Sequence, residues 1–387
     1  MTDAPAPHGP LHGLVIVDFS QFLAGPLAAL KLADMGARVI KIERPGSGDL
    51  GRSLYLSDLD IHGTNTLFHA INRNKQSYAA NLKSPDDLAK VKALVRQADV
   101  VIQNFRPGVI AQYGLDYEGV QALNPRAVYA SISGYGDKGE WVDLPGQDLL
   151  AQARSGLMWL TGSAEDPPMP MGLAIADQLA GNIAVQGILA GLLQRGVTGK
   201  GTHVQTSLIE ALLDFQFEVL TTHFNDPDNR LPQRSAVNNA HAYLAAPYGV
   251  YRTQDGFLAI AMTPVPKLGQ VLGCTALLQH DDPQKWFTAR DAIKAELAEF
   301  LAQHSTAHWL GLLVPADIWA TEVLDWDQLQ ATDGFKTLDF VQSLQLSNGE
   351  RIQTTRSPLR FDGRTLKSER PAPNVGQHNA EIDADFA

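Results

Sequence analysis

Residues 14–43 read LVIVDFSQFLAGPLAALKLADMGARVIKIE, and this stretch determines the fold class. Its two apolar runs, LVIVDF (14–19) and RVIKIE (38–43), have the length and the β-branched content of buried strands. Between them AALKLADMG (28–36) has helical spacing and ends at a glycine, which is typical of helix C-termini. A strand, a helix and a strand in succession predict parallel strands joined by a crossover helix.

The same alternation continues through the first two hundred residues. Further strands are predicted at SYAANL (77–82), DVVIQNF (99–105) and AVYASISGYG (127–136), with helices at DDLAKVKALVRQA (86–98) and YEGVQAL (117–123). The expected fold is therefore α/β with a mostly parallel sheet. Ligands of such sheets bind beyond the carboxyl ends of the strands.

The pattern changes after SLIEALLDFQFEVLTTHF (207–224), which is predicted to be one helix, at the polar run NDPDNRLPQRSAVNN (225–239), which is predicted to be an exposed linker. YGVYRT (248–253) and FLAIAM (257–262) follow, joined by an Asp-Gly turn that indicates a hairpin. We expect a large domain over 1–225, a small α+β domain over 226–330, and a return to the large domain over 331–387. In the small domain, ADIWATEVLDW (316–326) is expected to be structural, with Trp319 in the core, because buried tryptophan usually is. A role in shaping the acyl pocket is the alternative.

Composition narrows the functional class. The chain has 387 residues, 44% of them hydrophobic, and a net charge of -11, which argues against nucleic acid as a partner. Its one cysteine, Cys274, allows no intrachain disulfide framework and no thiolate metal cluster. The polar start MTDAPAPHGP shows no secretory signal, and Asp177 and Asn182 interrupt the most apolar helix, so no membrane span is expected. We therefore expect a cytoplasmic protein.

Several familiar site types are disfavoured. The histidines have no metal-ligand spacing, and no G-x-S-x-G hydrolase motif occurs. Residues 46–51, GSGDLG, match the dinucleotide pattern G-x-G-x-x-G, but they follow the second strand and no good helix opening comes after them. Beside Arg44 the same loop suits a phosphate, because exposed amides and a guanidinium bind anions. An ordinary surface turn is the alternative.

The segment MGLAIADQLAGNIAVQGILAGLLQRG (171–196) carries the strongest chemical candidate, Asp177. Asp177 precedes a predicted helix that has an apolar stripe and a stripe of small residues, Ala180, Ala184, Gly187 and Gly191. The small residues predict close packing against another backbone. Asp177 occupies the position expected of an N-cap, where the helix dipole favours its ionised form. A purely structural cap is the alternative role.

Two loops at predicted strand ends offer further candidates. Ser20-Gln21-Phe22 follows the first strand, and Asn104-Phe105-Arg106-Pro107-Gly108 follows a later one. Asn104 can hydrogen-bond a base edge or a pantetheine amide, and Phe105 can stack on a ring or fill the core.

These residues together resemble the class III coenzyme A transferases, the formyl-CoA transferase and CaiB/BaiF family. The resemblance runs through DFSQFLAGP (18–26), GARVIKIERPGSGD (36–49), ADVVIQNFRPGVI (98–110), LNPRAVYASISGYG (123–136), the Asp177 segment and TGKGTHVQTSLIEALL (198–213). It implies a Rossmann-like large domain and a small domain that form an open ring, with two chains interlocked as a homodimer. It also implies that coenzyme A is a co-substrate and that no other cofactor is needed.

The resemblance assigns roles to individual residues. Asp177 matches the family's catalytic aspartate. Coenzyme A and its thioester are implied to contact Gln21, Phe22, Leu23, Arg44, Lys83, Asn104 and Phe105, with Arg106 in the same loop.

The chemistry that the resemblance implies is attack of Asp177 on an acyl-CoA thioester, followed by exchange with a small carboxylic acid. Two alternatives remain. Related 2-methylacyl-CoA racemases use a His-Asp pair, but this chain has Gln147 where they have the histidine, and glutamine cannot carry a proton. A non-catalytic acyl-CoA-binding protein is the other alternative. The glycine run that closes over formyl-CoA transferase is missing between Ala236 and Ala246, so neither gating by that loop nor the formyl and oxalate specificity is carried over to this chain.

Overall fold

The structure is a computed structural model that describes residues 9–54, 59–61 and 63–386. The α-helices are α1 (Ala24–Asp34), α2 (Thr66–Asn72), α3 (Pro85–Gln97), α4 (Tyr117–Leu123), α5 (Asp148–Arg154), α6 (Ile175–Thr198), α7 (Leu208–Phe215), α8 (Phe217–Phe224), α9 (Val265–Leu272), α10 (Arg290–Leu301), α11 (Thr306–Leu313), α12 (Trp326–Ala331), α13 (Asp333–Leu338) and α14 (Asn379–Asp385). The strands are β1 (Val15–Asp18), β2 (Arg38–Glu43), β3 (Asp60–Ile61), β4 (Thr64–Asn65), β5 (Gln76–Ala79), β6 (Val100–Gln103), β7 (Val128–Ser133), β8 (His203–Ser207), β9 (Gly249–Arg252), β10 (Phe257–Ile260), β11 (Ala320–Glu322), β12 (Val341–Gln345), β13 (Arg351–Thr355), β14 (Arg360–Phe361) and β15 (Arg364–Thr365).

The chain divides into two compact units. The first contains the described residues of Met1–Ala151, Ala174–Leu212 and Thr337–Ala387, and the second contains Gln152–Leu173 and Leu213–Lys336. These bounds differ from the expected 1–225, 226–330 and 331–387, because the second unit also takes 152–173 and begins earlier. The segment 152–173 lies there because its carbonyl groups accept hydrogen bonds from the buried Arg234 side chain, at Ala164 (3.3 Å) and Asp166 (2.5 Å).

A six-stranded sheet with the order β5-β2-β1-β6-β7-β8 forms the centre of the first unit. Every neighbouring pair in it is parallel. Its central strands are buried on both faces, as their continuous apolar sequences require. The predicted α/β fold with a parallel sheet is confirmed.

Helix α6 packs directly on α1 through its small residues. A Cβ placed on Gly181 would lie 2.7 Å from the carbonyl oxygen of Ala24, so only glycine allows this approach. Further along α6, a Cβ on Gly187 would lie 2.4 Å from Cγ1 of Val204 in β8. The close approach to another backbone is thus made by Gly181, which lies outside the predicted stripe, whereas Gly187 of the stripe packs against a side chain.

The C-terminal segment covers the edge strand β5 with side chains as well as backbone. The Asn379 side chain accepts from the backbone N–H of Ala79 (2.8 Å) and donates to its carbonyl (2.9 Å). Nδ1 of His378 accepts from the N–H of Ser77 at 3.2 Å, and the backbone N–H of His378 donates to the Ser77 carbonyl at 3.1 Å. The outer backbone groups of β5 are thus paired without another strand.

The second unit contains an antiparallel sheet with the order β11-β10-β9. The predicted hairpin is present as β9 and β10, and the Thr253 N–H donates to the Gly256 carbonyl across the turn at 2.9 Å. Its apolar core surrounds the buried Trp309. Trp319 is instead 64% exposed, so the expectation that it belongs to the core is wrong.

Two other expectations for this region are corrected. The predicted helix over 207–224 is two helices, α7 and α8, which are separated at Gln216. The run 225–239 is not an exposed linker throughout, because Arg234 and Ser235 are buried and Lys294 donates to the Ser235 hydroxyl at 2.8 Å. Polar residues that bond buried groups cannot be distinguished from a solvated loop by composition.

Candidate active site

The loop that follows β1 is held by hydrogen bonds to each of its residues. Nζ of Lys41 donates to the Ser20 carbonyl at 2.7 Å. The Asn104 side chain accepts from the Gln21 N–H and donates to the Gln21 carbonyl, both at 2.8 Å. Oδ1 of Asp49 accepts from the Phe22 N–H at 3.1 Å. Phe22 has a φ of +64°, an unfavourable conformation for a non-glycine residue, and these bonds hold it there with its ring 46% exposed.

Buried ion pairs lie beneath this loop. Lys41 lies 2.7 Å from Asp49, and Lys75 lies 3.2 Å from Asp18. Burial disfavours the charged form of Lys41, but the carboxylates of Asp18, Asp49 and Glu43 outweigh burial and raise the pKa of Lys41 above its ordinary value. Burial dominates at Lys75 and lowers its pKa to about 8. Such pairs are costly to break, because a lone buried charge would remain.

The GSGDLG motif is a capped turn. The Gly48 N–H donates to the Arg44 carbonyl at 2.9 Å, and Asp49 caps the short 3-10 helix Leu50–Ser53 by accepting from the Gly51 N–H at 2.8 Å. A 3-10 turn replaces the α-helix that a dinucleotide fingerprint requires. The aspartate of the motif is used to hold the loop after β1.

Asp177 lies in the first turn of α6 and is not its N-cap. The helix begins at Ile175, and its N-cap residue is Ala174, which makes no side-chain capping bond. The prediction of an N-cap at Asp177 is wrong because the N-cap lies three residues earlier, at Ala174, which carries no capping signal.

The electrostatics of Asp177 also differ from expectation. Its carboxyl is partly buried, and burial, followed by the negative charge of Asp148, raises the pKa of Asp177 to about 7. The helix dipole was expected to keep Asp177 ionised, but desolvation is the larger effect. A carboxyl of this kind is half-ionised near neutral pH and is a stronger nucleophile than an ordinary surface carboxylate.

Three candidate segments come together in the first unit. Gly181, about one turn after Asp177, packs on Ala24, which directly follows the loop residue Leu23. A Cβ on Gly25 would lie 3.6 Å from Cγ of Asn104, so α1 also approaches the loop after β6. Helix α6 at Gly181, the start of α1 after residues 21–23, and Asn104 therefore lie in one region of the unit.

The remaining candidates are more peripheral. Arg44, Lys83 and Arg106 are exposed, and within the described ranges none of their side chains forms a salt bridge. Phe105 is partly buried and packs against the apolar core, while its N–H donates to the side chain of Gln103 at 2.8 Å. No hydrogen bond in the described part of the chain ties these four side chains to Asp177.

Asp148 is the residue near Asp177 that the sequence did not reveal. Its Oδ1 accepts a hydrogen bond from the backbone N–H of Asp177 at 3.1 Å. A possible signal was its position directly after Gln147, the residue that replaces the racemase histidine. Gln147 itself is exposed.

Among the residues the structure describes, no group of three or more His, Cys, Asp or Glu side chains is arranged to hold a metal ion. In the same ranges, no helix combines the length and the apolar character needed to cross a bilayer.

Comparison with known proteins identifies the class. Residues 11–379 match the family model of CoA-transferase family III, and the chain belongs to this family. It is a CoA-transferase, which moves coenzyme A between an acyl-CoA thioester and a free carboxylic acid.

Named relatives and a solved structure agree. The chain is 35% identical over 402 residues to the succinate–glutarate CoA-transferase of Agrobacterium fabrum, which covers 100% of the chain and 98% of that protein. It is 33% identical over 400 residues to the acetyl-CoA:oxalate CoA-transferase of Acetobacter aceti, with coverage of 100% and 98%. The crystal structure of a CaiB/BaiF family protein from Brucella suis matches with a TM-score of 0.83 and 31% identity, over 98% of this chain and 100% of that one.

Proposed function

We propose that Asp177 is the covalent nucleophile of this CoA-transferase. The observation that carries the proposal is a partly buried carboxyl in the first turn of α6, with a pKa raised to about 7, on the helix that packs against the end of the loop after β1. Perturbed carboxyl groups in such positions are typical of catalytic sites.

The reaction proceeds through two acyl exchanges. The Asp177 carboxylate attacks the thioester carbonyl and expels the coenzyme A thiolate, which leaves a mixed anhydride. The thiolate then attacks the aspartyl carbonyl, releases the donor acid and forms an aspartyl-CoA thioester. The acceptor carboxylate repeats both steps in reverse order: it displaces the thiolate to form a new anhydride, and the thiolate attacks the acceptor carbonyl. The product is a new acyl-CoA and a regenerated Asp177 carboxylate.

We assign coenzyme A binding to the partly or fully exposed residues of the loops after β1, β2, β5 and β6. Gln21, Phe22 and Leu23 present backbone and side-chain groups in a fixed conformation, and Asn104 holds Gln21. The exposed cations Arg44, Lys83 and Arg106, which form no salt bridge within the described ranges, suit the phosphates of coenzyme A. Phe105 is assigned to the same ligand.

The substrates proposed are a small acyl-CoA and a small dicarboxylic acid. The relatives are named for succinate and glutarate and for acetyl-CoA and oxalate, and this chain matches both proteins over its whole length. A panel of acceptors tests the class: succinate, glutarate and oxalate should turn over faster than butyrate, and a preference for butyrate would contradict the assignment.

The working form proposed is an interlocked homodimer. Helix α8 has no buried residue, and it exposes Phe217 (67%) and Phe224 (74%), an apolar surface suited to a second copy of the chain. Light scattering should give twice the mass of 42.0 kDa. A monomer at assay concentration would contradict this proposal.

We infer a cytoplasmic location, since the single thiol, Cys274, is buried and no oxidising compartment is needed.

Chemical trapping tests the nucleophile. The protein is incubated with acetyl-CoA or succinyl-CoA, quenched with hydroxylamine and analysed by peptide mass mapping. A hydroxamate on Asp177 is expected, and the Asp177→Ala variant should show none. Labelling elsewhere, or no labelling with measurable thioester binding, would contradict covalent catalysis by Asp177.

The racemase alternative makes a different prediction. A racemase would exchange the α-proton of a 2-methylacyl-CoA with deuterated solvent. We expect no exchange, because Gln147 cannot shuttle a proton. A non-catalytic acyl-CoA-binding protein would bind thioesters but transfer coenzyme A to no acceptor.

A further inference from the structure

Helix α6 lacks a capping side chain of its own at the end that bears Asp177. The first four N–H groups of an α-helix have no partner within the helix and are normally satisfied by a capping side chain. Ala174 occupies the cap position and offers no acceptor. The N–H of Asp177 is one of these four groups, and it donates to Oδ1 of Asp148 at 3.1 Å. The capping function therefore comes from a residue 29 positions earlier in the chain.

Asp148 is itself fixed against the sheet. Gly146, two residues before it, approaches Gly134 at the end of β7 so closely that a Cβ on Gly134 would lie 2.4 Å from Cα of Gly146. Helix α5 begins at Asp148, and the Ala151 N–H donates to the Gln147 carbonyl at 2.9 Å. The carboxylate of Asp148 is thus presented from two rigid elements, the strand end and the helix start.

The hydrogen bond from the Asp177 N–H to Asp148 also brings the two carboxyl groups near each other. After burial, Asp148 is the charged group that raises the pKa of Asp177, and no other titratable residue in the described ranges contributes to that shift. A neighbouring negative charge disfavours the ionised Asp177 and leaves its neutral forms unaffected. Asp177 is neutral in the anhydride and in the aspartyl-CoA thioester, so the repulsion disappears when the acyl-enzyme forms.

We propose that Asp148 is a positioning residue for Asp177, which fixes the backbone of the nucleophile with one carboxylate oxygen and favours its acylation through its charge. This inference rests on the proposed role of Asp177 and extends it. Asp148 acts through Asp177 and has no assigned contact with substrate.

Two substitutions separate the two effects. Asp148→Asn removes the charge and keeps an oxygen that can accept from the Asp177 N–H, whereas Asp148→Ala removes both. Asp143→Asn is the matched control, because it removes an exposed negative charge from the same segment and Asp143 does not contribute to the pKa of Asp177. Circular dichroism and thermal unfolding establish that each variant is folded.

The measurement is the single-turnover rate of Asp177 acylation by acetyl-CoA and succinyl-CoA between pH 5 and pH 9. In the wild type, the rate should rise with pH through about 7, because only the ionised carboxyl attacks. In Asp148→Asn and Asp148→Ala, this rise should move to lower pH by about one unit. Burial remains in both variants, so the rise should not return to the range of an exposed carboxyl.

The plateau rate at high pH distinguishes the hydrogen bond from the charge. Asp148→Ala should lose about tenfold more rate than Asp148→Asn, the effect of one hydrogen bond of this kind. Asp143→Asn should match the wild type in both respects.

The outcomes separate this proposal from the one on which it rests. If wild-type Asp177 is labelled and both Asp148 variants titrate like the wild type, Asp148 has no positioning role and Asp177 remains the nucleophile. If the wild type is never labelled on Asp177, both proposals fail. A variant in which only the plateau rate falls, with an unchanged pH profile, would reduce Asp148 to an ordinary structural contact and overturn the proposal.

Discussion

At the carboxyl end of β1, Asp18 and Asp49 each lie beside a buried lysine, whereas at the first turn of α6 Asp177 lies beside another carboxylate, Asp148. Both regions belong to the first unit and use the same residue type. The paired charges make the loop after β1 costly to disrupt, because loss of one partner would strand a buried charge, while like charges raise the free energy of an ionised Asp177. In the proposed mechanism, the first arrangement holds the loop that binds coenzyme A, and the second raises the pKa of the proposed nucleophile.

The largest effect should come from replacing Asp177, the proposed nucleophile in the first turn of α6. Asp177→Ala should lower the transfer rate by at least about a thousandfold, because the covalent route is lost. Thioester binding should persist, since the loop after β1 is held independently of Asp177. Steady-state assays and fluorescence titration with acetyl-CoA measure the two. Asp143→Asn serves as the control, and full activity in a folded Asp177→Ala protein would contradict the mechanism.

Breaking the buried ion pair at the carboxyl end of β1 should lower the free energy of unfolding. Lys41→Met leaves Asp49 and Asp18 without one of their cations in a buried site, which should lower the free energy of unfolding by about 3–5 kcal/mol. The double variant Lys41→Met with Asp49→Asn removes the stranded charge and should recover part of this loss. Urea unfolding measures both. If the single and double variants lose the same amount, the pair does not act as a unit.

The packing of α6 on α1 can be tested by comparing two glycine substitutions within α6. Gly181→Ala places a methyl group against the Ala24 carbonyl and should cost about 1–3 kcal/mol of stability, with a loss of activity as α1 and the loop before it shift. Gly196→Ala is its control, because the added Cβ would meet no atom within 4 Å beyond its chain neighbours and the local backbone of its own helix. That variant should gain roughly 0.5–1 kcal/mol from helix propensity. Equal effects of the two substitutions would mean that α1 and α6 can separate freely.

The last test concerns the pH dependence of stability. The pKa of Asp177 is raised on folding, so its ionisation destabilises the folded state fully above about pH 7 and progressively less as the pH falls towards the unfolded value near 4. Asp177→Asn should therefore be more stable than the wild type at pH 8, and the difference should fade towards pH 4. Unfolding in urea at both pH values measures it, and a difference that grows as the pH falls would have the wrong sign.

Much of the first unit follows from its sequence. The apolar runs at 14–19 and 38–43 and the helical segments at 86–98 and 117–123 correspond to β1, β2, α3 and α4, because length, periodicity and turn residues agree there. The helix over 207–224 was not divided at Gln216, since its apolar spacing continues across the break. The start of α6 was misplaced because Ala174 has no capping signature and Asp177 resembles a cap.

The charge pairings at the candidate site could not be predicted from the sequence. Lys41 alternates with apolar residues in RVIKIE, a pattern that suggests a solvent-facing lysine, yet it is fully buried beside Asp49. Asp49 lies in a motif that resembles a phosphate loop. Asp148 and Asp177 are 29 residues apart, so their contact depends on the approach of Gly146 to Gly134. Pairings of this kind are tertiary and leave no local pattern.

The side-chain pairing along β5 has a consequence for behaviour in concentrated solution. An edge strand with free N–H and C=O groups is a template on which another molecule can add a strand and start an aggregate. Asn379 and His378 occupy those groups on β5. Loss of their side chains is expected to leave the proposed nucleophile in place and to free these backbone groups for strand addition by another molecule.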